Sequence, residues 1–169
     1  MSIAFTCPLC GELQHGMPAF FADAPSAWHE LPEEERGQRG SHDGARCTVD
    51  DAFHFLRACI ELPVHGTDEH FVWGVWVAVG DRSLLAWDAW RADPQGVSMP
   101  EPFLGWLDTR LSPYPDTKFM KVRVHLRGAD AWPWLEFEKD EHPLARERLD
   151  GITLDRVAEL HAAIVHEPE

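Results

Sequence analysis

The sequence predicts an α+β domain, an antiparallel sheet with packed helices and an N-terminal loop of the zinc-knuckle kind. Three observations predict it. Residues 52–64 (AFHFLRACIELPV) and 70–80 (HFVWGVWVAVG) are two long apolar segments joined by the turn-forming GTDE. Residues 119–128 and 132–139 form a second pair that alternates apolar and charged side chains. Segments with helical spacing stand between and after these pairs, without the regular strand–helix alternation of a parallel α/β sheet.

The elements follow in chain order. CPLCGELQH, residues 7–15, places two thiols two residues apart with a glycine behind them. PEEERGQRGSHDGAR, residues 32–46, reads as a helical turn started by Pro32 and then an exposed loop. A strand over 46–49 and a two-residue turn at Asp50 and Asp51 would set Cys47 opposite His54. In the next strand His54, Leu56, Ala58, Ile60, Leu62 and Val64 share one parity, and Phe53, Phe55, Arg57, Cys59 and Glu61 the other, a half-buried pattern. The segment 70–80 is apolar on both parities and reads as a central strand.

Leu84, Trp87 and Trp90 recur every three residues and predict a helix over 81–93. A loop with three prolines follows over 93–102. Met120, Val122, Val124 and Leu126 point one way, and Lys121, Arg123, His125 and Arg127 the other. Leu135 and Phe137 answer them beside Glu136 and Glu138, so a basic strand meets an acidic one. The final helix is capped by Thr153 and carries Leu154, Val157, Leu160 and Ile164 on its apolar stripe.

At 169 residues and 19.2 kDa the chain has the size of one domain, taken as residues 1–169, with the metal loop inside 1–50. The 15 Lys and Arg stand against 29 Asp and Glu, a net charge of -14. That sign repels nucleic acid and anionic membranes and suits a basic protein partner. No leader or membrane-spanning stretch is evident, which points to the cytoplasm, where thiols stay reduced. A CxxC pair there reads as a metal site or a redox motif, and CPLC lacks the strand-to-helix setting of the second.

A structural zinc ion takes four ligands in a tetrahedron. Cys7 and Cys10 supply two, and Cys47, near a strand end, is the simplest third. For the fourth, His15 gives CxxCxxxxH and is preferred narrowly over His54, whose case rests on the strand pairing above. Such a quartet would be closed and structural, with no corner for substrate.

The remaining constellations are weaker. Lys121, Arg123, His125 and Arg127 can grip an anionic partner or pair with Glu136 and Glu138 across the sheet. The tryptophan pairs read as core rather than as a cleft. HExxH, GxSxG and a phosphate-cradling glycine loop are all missing. The expected function is therefore non-enzymatic binding of another protein on a zinc-stapled domain. The alternative is a small enzyme with a pocket near Tyr114, Asp116, Arg123 and His125.

Several blocks are unusual in combination: CPLCG with GMP after it, ARCTVD, LRACIELPV, FVWGVWV, FLGWL with YPDT, KVRVHLR and HPLARERLDGITLDRV. In these the chain resembles a bacterial family known as domain of unknown function 2199. The likeness implies a small bacterial cytoplasmic protein and supplies no catalytic residue. The family pattern has histidines where this chain has Gln14 and Phe53, one place before His15 and His54.

Overall fold

The structure is a computed structural model that describes residues 3–128 and 130–167. Strands β1 (Ala4–Thr6) and β2 (Leu13–His15) form an antiparallel hairpin, and the cysteine loop is its connection. After β3 (Ala19–Phe21) come α1 (Ser26–His29), a 3₁₀ turn at Glu33–Glu35 and α2 (Arg36–Arg39). The turn begins after Pro32, as the sequence predicts. β4 (Gly40–His42) and β5 (Arg46–Val49) lead into the long hairpin of β6 (Phe53–Pro63) and β7 (His70–Val79).

Helix α3 (Asp81–Ala92) buries Leu84, Trp87 and Trp90, the three residues its spacing selects. β8 (Phe103–Leu107), β9 (Lys121–His125) and β10 (Trp134–Phe137) follow. The chain closes with α4 (Pro143–Asp150) and α5 (Leu154–Val165). Pro143 and the His142 side chain, which accepts from the Leu144 N–H, start α4; Gly151, at a φ of 81°, ends it. Thr153 caps α5 by accepting from the Arg156 N–H at 3.1 Å.

The fold is α+β. Eight strands lie in the order β3-β7-β8-β9-β10-β6-β5-β4, and β6 also pairs with β7, so the strands from β6 to β10 close into a ring. Most pairings are antiparallel, as expected; β3 with β7 and β10 with β6 are parallel. One register pair, Trp134 with Cys59, completes the ring.

The main core takes Leu56, Ala58, Ile60 and Leu62 from β6 and Val64 just beyond it, the parity that the sequence selects, against Trp73, Val75 and Val77 of β7 and the apolar stripes of α3 and α5. The opposite face of β6 is not simply exposed. Phe55 joins Leu31, Cys47, Val49 and Trp76 in a second buried cluster, because α1 and the segment after it fold across that face.

The β5–β6 register also departs from expectation. Asp50 and Asp51 both adopt positive φ, 54° and 52°, and the Ala52 N–H closes the turn onto Val49 O at 3.2 Å. Ala52 then stays unpaired, so Val49 opposes Phe53 and Cys47 opposes Phe55. A slip of one residue exchanges faces. His54 lies opposite Thr48, whose Oγ1 is 3.2 Å from His54 Nδ1.

Candidate functional site

The cysteine loop is built by its own backbone. The Gly11 N–H donates to Cys7 O and the Cys7 N–H to Glu12 O, both at 2.9 Å, with Gly11 in the left-handed region at φ 76°. This turn brings both thiols to one side. His166 arrives from the other end of the chain, immediately beyond α5, with its Nε2 at 3.4 Å from Cys7 Sγ. The ligand atoms of Cys7, Cys10 and His166 all lie within 4.8 Å of one another, the one such group of three among the described residues. They are close enough to hold a metal ion.

The electrostatics favour a thiolate and a cation here. The Cys10 backbone N–H, against the opposing effect of burial, and then the Leu9 N–H, the Cys10 thiol and the His166 ring, bring the Cys7 thiol down to about 7. Cys7 is only 1% exposed, whereas Cys10 and His166 reach the surface. The C-terminus of α5, whose dipole favours positive charge, lies immediately before His166. Phe5 of β1 packs edge-on against His161 of α5 at 5.3 Å and holds hairpin and helix together.

The other residues named as ligands from the sequence lie elsewhere. Cys47 is buried in the second cluster beside Phe55 and Trp76, where desolvation pushes its thiol up to about 11 and keeps it neutral. His15 pairs with Ala4, at the far end of the β1–β2 ladder from the cysteine turn. Each residue of strand advances the chain by about 3.3 Å, so the hairpin itself carries this ring away from the thiols. His54 Nε2 meets Asp81 at 3.0 Å. No local spacing signals His166, since 159 residues separate it from Cys7.

A groove of about 420 Å³ lies where α1, the β5–β6 turn and the loop before β9 meet. Its rim exposes three aromatic rings, Phe53 at 59%, Trp106 at 41% and Phe119 at 68%. Phe119 holds a φ of 71°, a conformation rare for a bulky residue. Asp50, another of the three non-glycine residues at positive φ among the described residues, lines the same groove.

At its floor Lys118 Nζ lies 2.9 Å from Glu30 Oε1 and 3.7 Å from Asp108 Oδ1, with the Lys118 and Asp108 side chains 8% and 5% exposed. Burial raises the pKa of Asp108, although the Ala27 N–H at 3.0 Å and Lys118 oppose it. Arg39 is spent on Asp50 through two bonds of 2.9 Å. Three carboxylates thus stand against two cations, both already paired.

The residues of the alternative enzyme site are each engaged. Tyr114 is buried, its hydroxyl accepting from Trp73 Nε1 at 3.2 Å, and desolvation raises its pKa. Asp116 caps the Lys118 N–H at 3.0 Å in an exposed loop. Arg123 pairs with Glu138 at 2.9 Å and His125 with Glu136 at 3.0 Å, diagonally across the β9–β10 ladder. Arg127 pairs with Glu61 at 2.6 Å, so most of the basic stripe is neutralised within the sheet. Trp73, Trp76, Trp87 and Trp90 are buried, while Trp132 is 40% exposed. No helix is long and apolar enough to cross a membrane among the described residues.

A family described as an uncharacterized protein conserved in bacteria (DUF2199) matches residues 6–152. The matched span contains Cys7 and Cys10 and stops before α5 and His166. No curated protein and no solved structure matches the chain.

Proposed function

We propose, for a chain that belongs to the bacterial family DUF2199, a cytoplasmic protein-binding role on a single α+β domain whose two ends are clasped by zinc. The observation that carries the zinc clasp is the approach of His166 to Cys7 across 159 residues. Two thiolates and an imidazole are ligands that suit zinc. Three protein ligands leave a fourth corner, filled by water or by a further side chain. The role is structural, because the metal joins the first hairpin to the last helix and the groove is formed by other elements.

Protein purified without added zinc should contain about one equivalent of it. In the metal-loaded protein none of the four thiols should react rapidly with a disulfide reagent at pH 7.5. After chelation the exposed Cys10 should react, while Cys47 and Cys59, buried with raised pKa values, stay silent until the chain unfolds. Metal-free protein with all four thiols reactive ends the proposal.

The binding role rests on the groove. A largely solvent-facing aromatic ring held at positive φ costs folding energy that its contact with the Lys118 ammonium, 5.0 Å from the ring centroid, offsets only in part, and such strain gathers at functional sites. Its occupant is a basic, partly apolar segment of another protein. The rings offer negative π faces to Lys or Arg, and the excess carboxylate and the net charge of -14 act in the same sense.

Phe119→Gly should raise stability by about 0.5–1 kcal/mol, through relief of the left-handed backbone, while weakening partner capture. A melting curve and a cross-link placed in the groove measure the two effects. A captured segment that is acidic, or one retained undiminished by Phe119→Gly, overturns this reading.

A further inference from the structure

Between Arg57 of β6, the tryptophans of α3 and the segment 126–133 lies a smaller cavity of about 220 Å³, which shares no residue with the groove. Two arginines line it. Arg57 of β6 stacks its guanidinium over Trp76 at 5.0 Å and Trp132 at 5.5 Å. Arg91, in the last turn of α3, lies over Trp87 at 4.8 Å. Neither makes an ion pair within 4.0 Å among the described residues, although neighbouring Arg46 and Arg127 are both paired, with Asp88 and Glu61.

In a chain with 29 acidic and 15 basic residues, two unpaired guanidiniums on one cavity run against the composition. Arg57 Nε is buried with no hydrogen-bond partner, and its Nη2 reaches only Asp23 O at 3.4 Å. The rest of the guanidinium makes no hydrogen bond beyond that long one, so the charge of Arg57 is left without a close acceptor. Asp130 is the one carboxylate on the lining. Asp43 attracts Arg91 from nearby, but its Oδ1 is occupied by the Ala45 and Arg46 N–H groups.

We propose that this cavity binds a small organic monocarboxylate. Arg91, stacked on Trp87 and engaged in no hydrogen bond or ion pair among the described residues, has its N–H edge available to match the two oxygens of a carboxylate, and Arg57 adds a second positive charge on the lining. On the lining itself two arginines stand against the single carboxylate of Asp130, an excess of positive charge that a monoanion balances. Phosphate, at about -1.5 to -2, does not. Trp87, Trp90 and Leu126 give the anion's carbon body an apolar wall.

Benzoate, benzamide and inorganic phosphate are the probes, titrated into the whole metal-loaded protein and read by tryptophan fluorescence and by the NMR signals of the arginine Nε–H groups. Benzoate should bind saturably, with benzamide and phosphate at least about tenfold weaker, since each charge-assisted pair is worth that factor or more. Arg57→Gln and Arg91→Gln should each raise the benzoate Kd about tenfold or more, and Arg123→Gln should leave it unchanged. Arg91 is exposed on its helix, so this variant folds even if Arg57→Gln does not.

Absence of saturable benzoate binding, equal binding of benzamide or phosphate, or an unchanged Kd in Arg91→Gln overturns the assignment. None of these results bears on the zinc clasp or the groove.

Discussion

Cys7→Ser is expected to lose the bound zinc and to lower Tm by about 8–16 °C. The size follows from linkage. A ligand that binds only the folded chain, at about 1,000 times its Kd, adds about 4 kcal/mol. In a domain of this length each kcal/mol moves Tm by about 2–4 °C. Cys10→Ser and His166→Ala should fall to the same Tm, because each removes one corner of a single site.

Two further variants separate this site from the one expected on sequence grounds. Cys47→Ala and His15→Ala should keep the full zinc content, since one side chain is a buried member of the second cluster and the other sits at the far end of a hairpin. Calorimetry with metal analysis on the same samples checks all five. Metal retained by His166→Ala, or a Tm that chelation of the parent leaves unmoved, removes the clasp.

The contrast between His15 and His166 shows how far the sequence is legible. Periodicity identifies the β6–β7 hairpin, the three buried residues of α3, the alternation of β9 and the Thr153 cap, because each is a local pattern with a local cause. Local spacing also identifies the knuckle turn. It cannot identify His166, whose approach to Cys7 depends on α5 packing against β1. Three- and four-residue elements such as β1 to β4, α1 and α2 fall below the window in which a period is detectable.

The β5–β6 turn misleads for a related reason. Two aspartates at positive φ form the two-residue turn, and the unpaired Ala52 shifts the ladder by one place beyond it. That single residue places Cys47 in a core instead of opposite His54. The groove was invisible for a third reason. Phe53, Trp106 and Phe119 come from three separate segments, and only the tertiary fold shows that all three are exposed along one rim.

The floor of that groove is the second place where a large effect is expected. Lys118→Met should destabilise the protein by about 2–4 kcal/mol at pH 7, whereas Asp108→Asn should cost less than about 1 kcal/mol. Both side chains are almost fully covered, so the pair stands or falls by mutual compensation. Removing the ammonium leaves the Asp108 carboxylate buried with only the Ala27 N–H as a partner. Removing the carboxylate charge instead leaves Lys118 with Glu30 at 2.9 Å, and the amide oxygen still accepts from Ala27.

The pH dependence distinguishes this account from simple loss of packing. Burial raises the Asp108 pKa above its ordinary 3.8, so the folded state prefers the protonated acid. Its contribution to stability is greatest at low pH and is lost as pH rises from 3.8 through the folded value. Without Lys118 the folded value rises further, and the penalty in Lys118→Met should shrink as pH is lowered from 7 toward 5. Urea denaturation of parent and variant at several pH values measures it. A penalty independent of pH would mean that the lysine acts through its methylene stem against the groove wall and not through its charge.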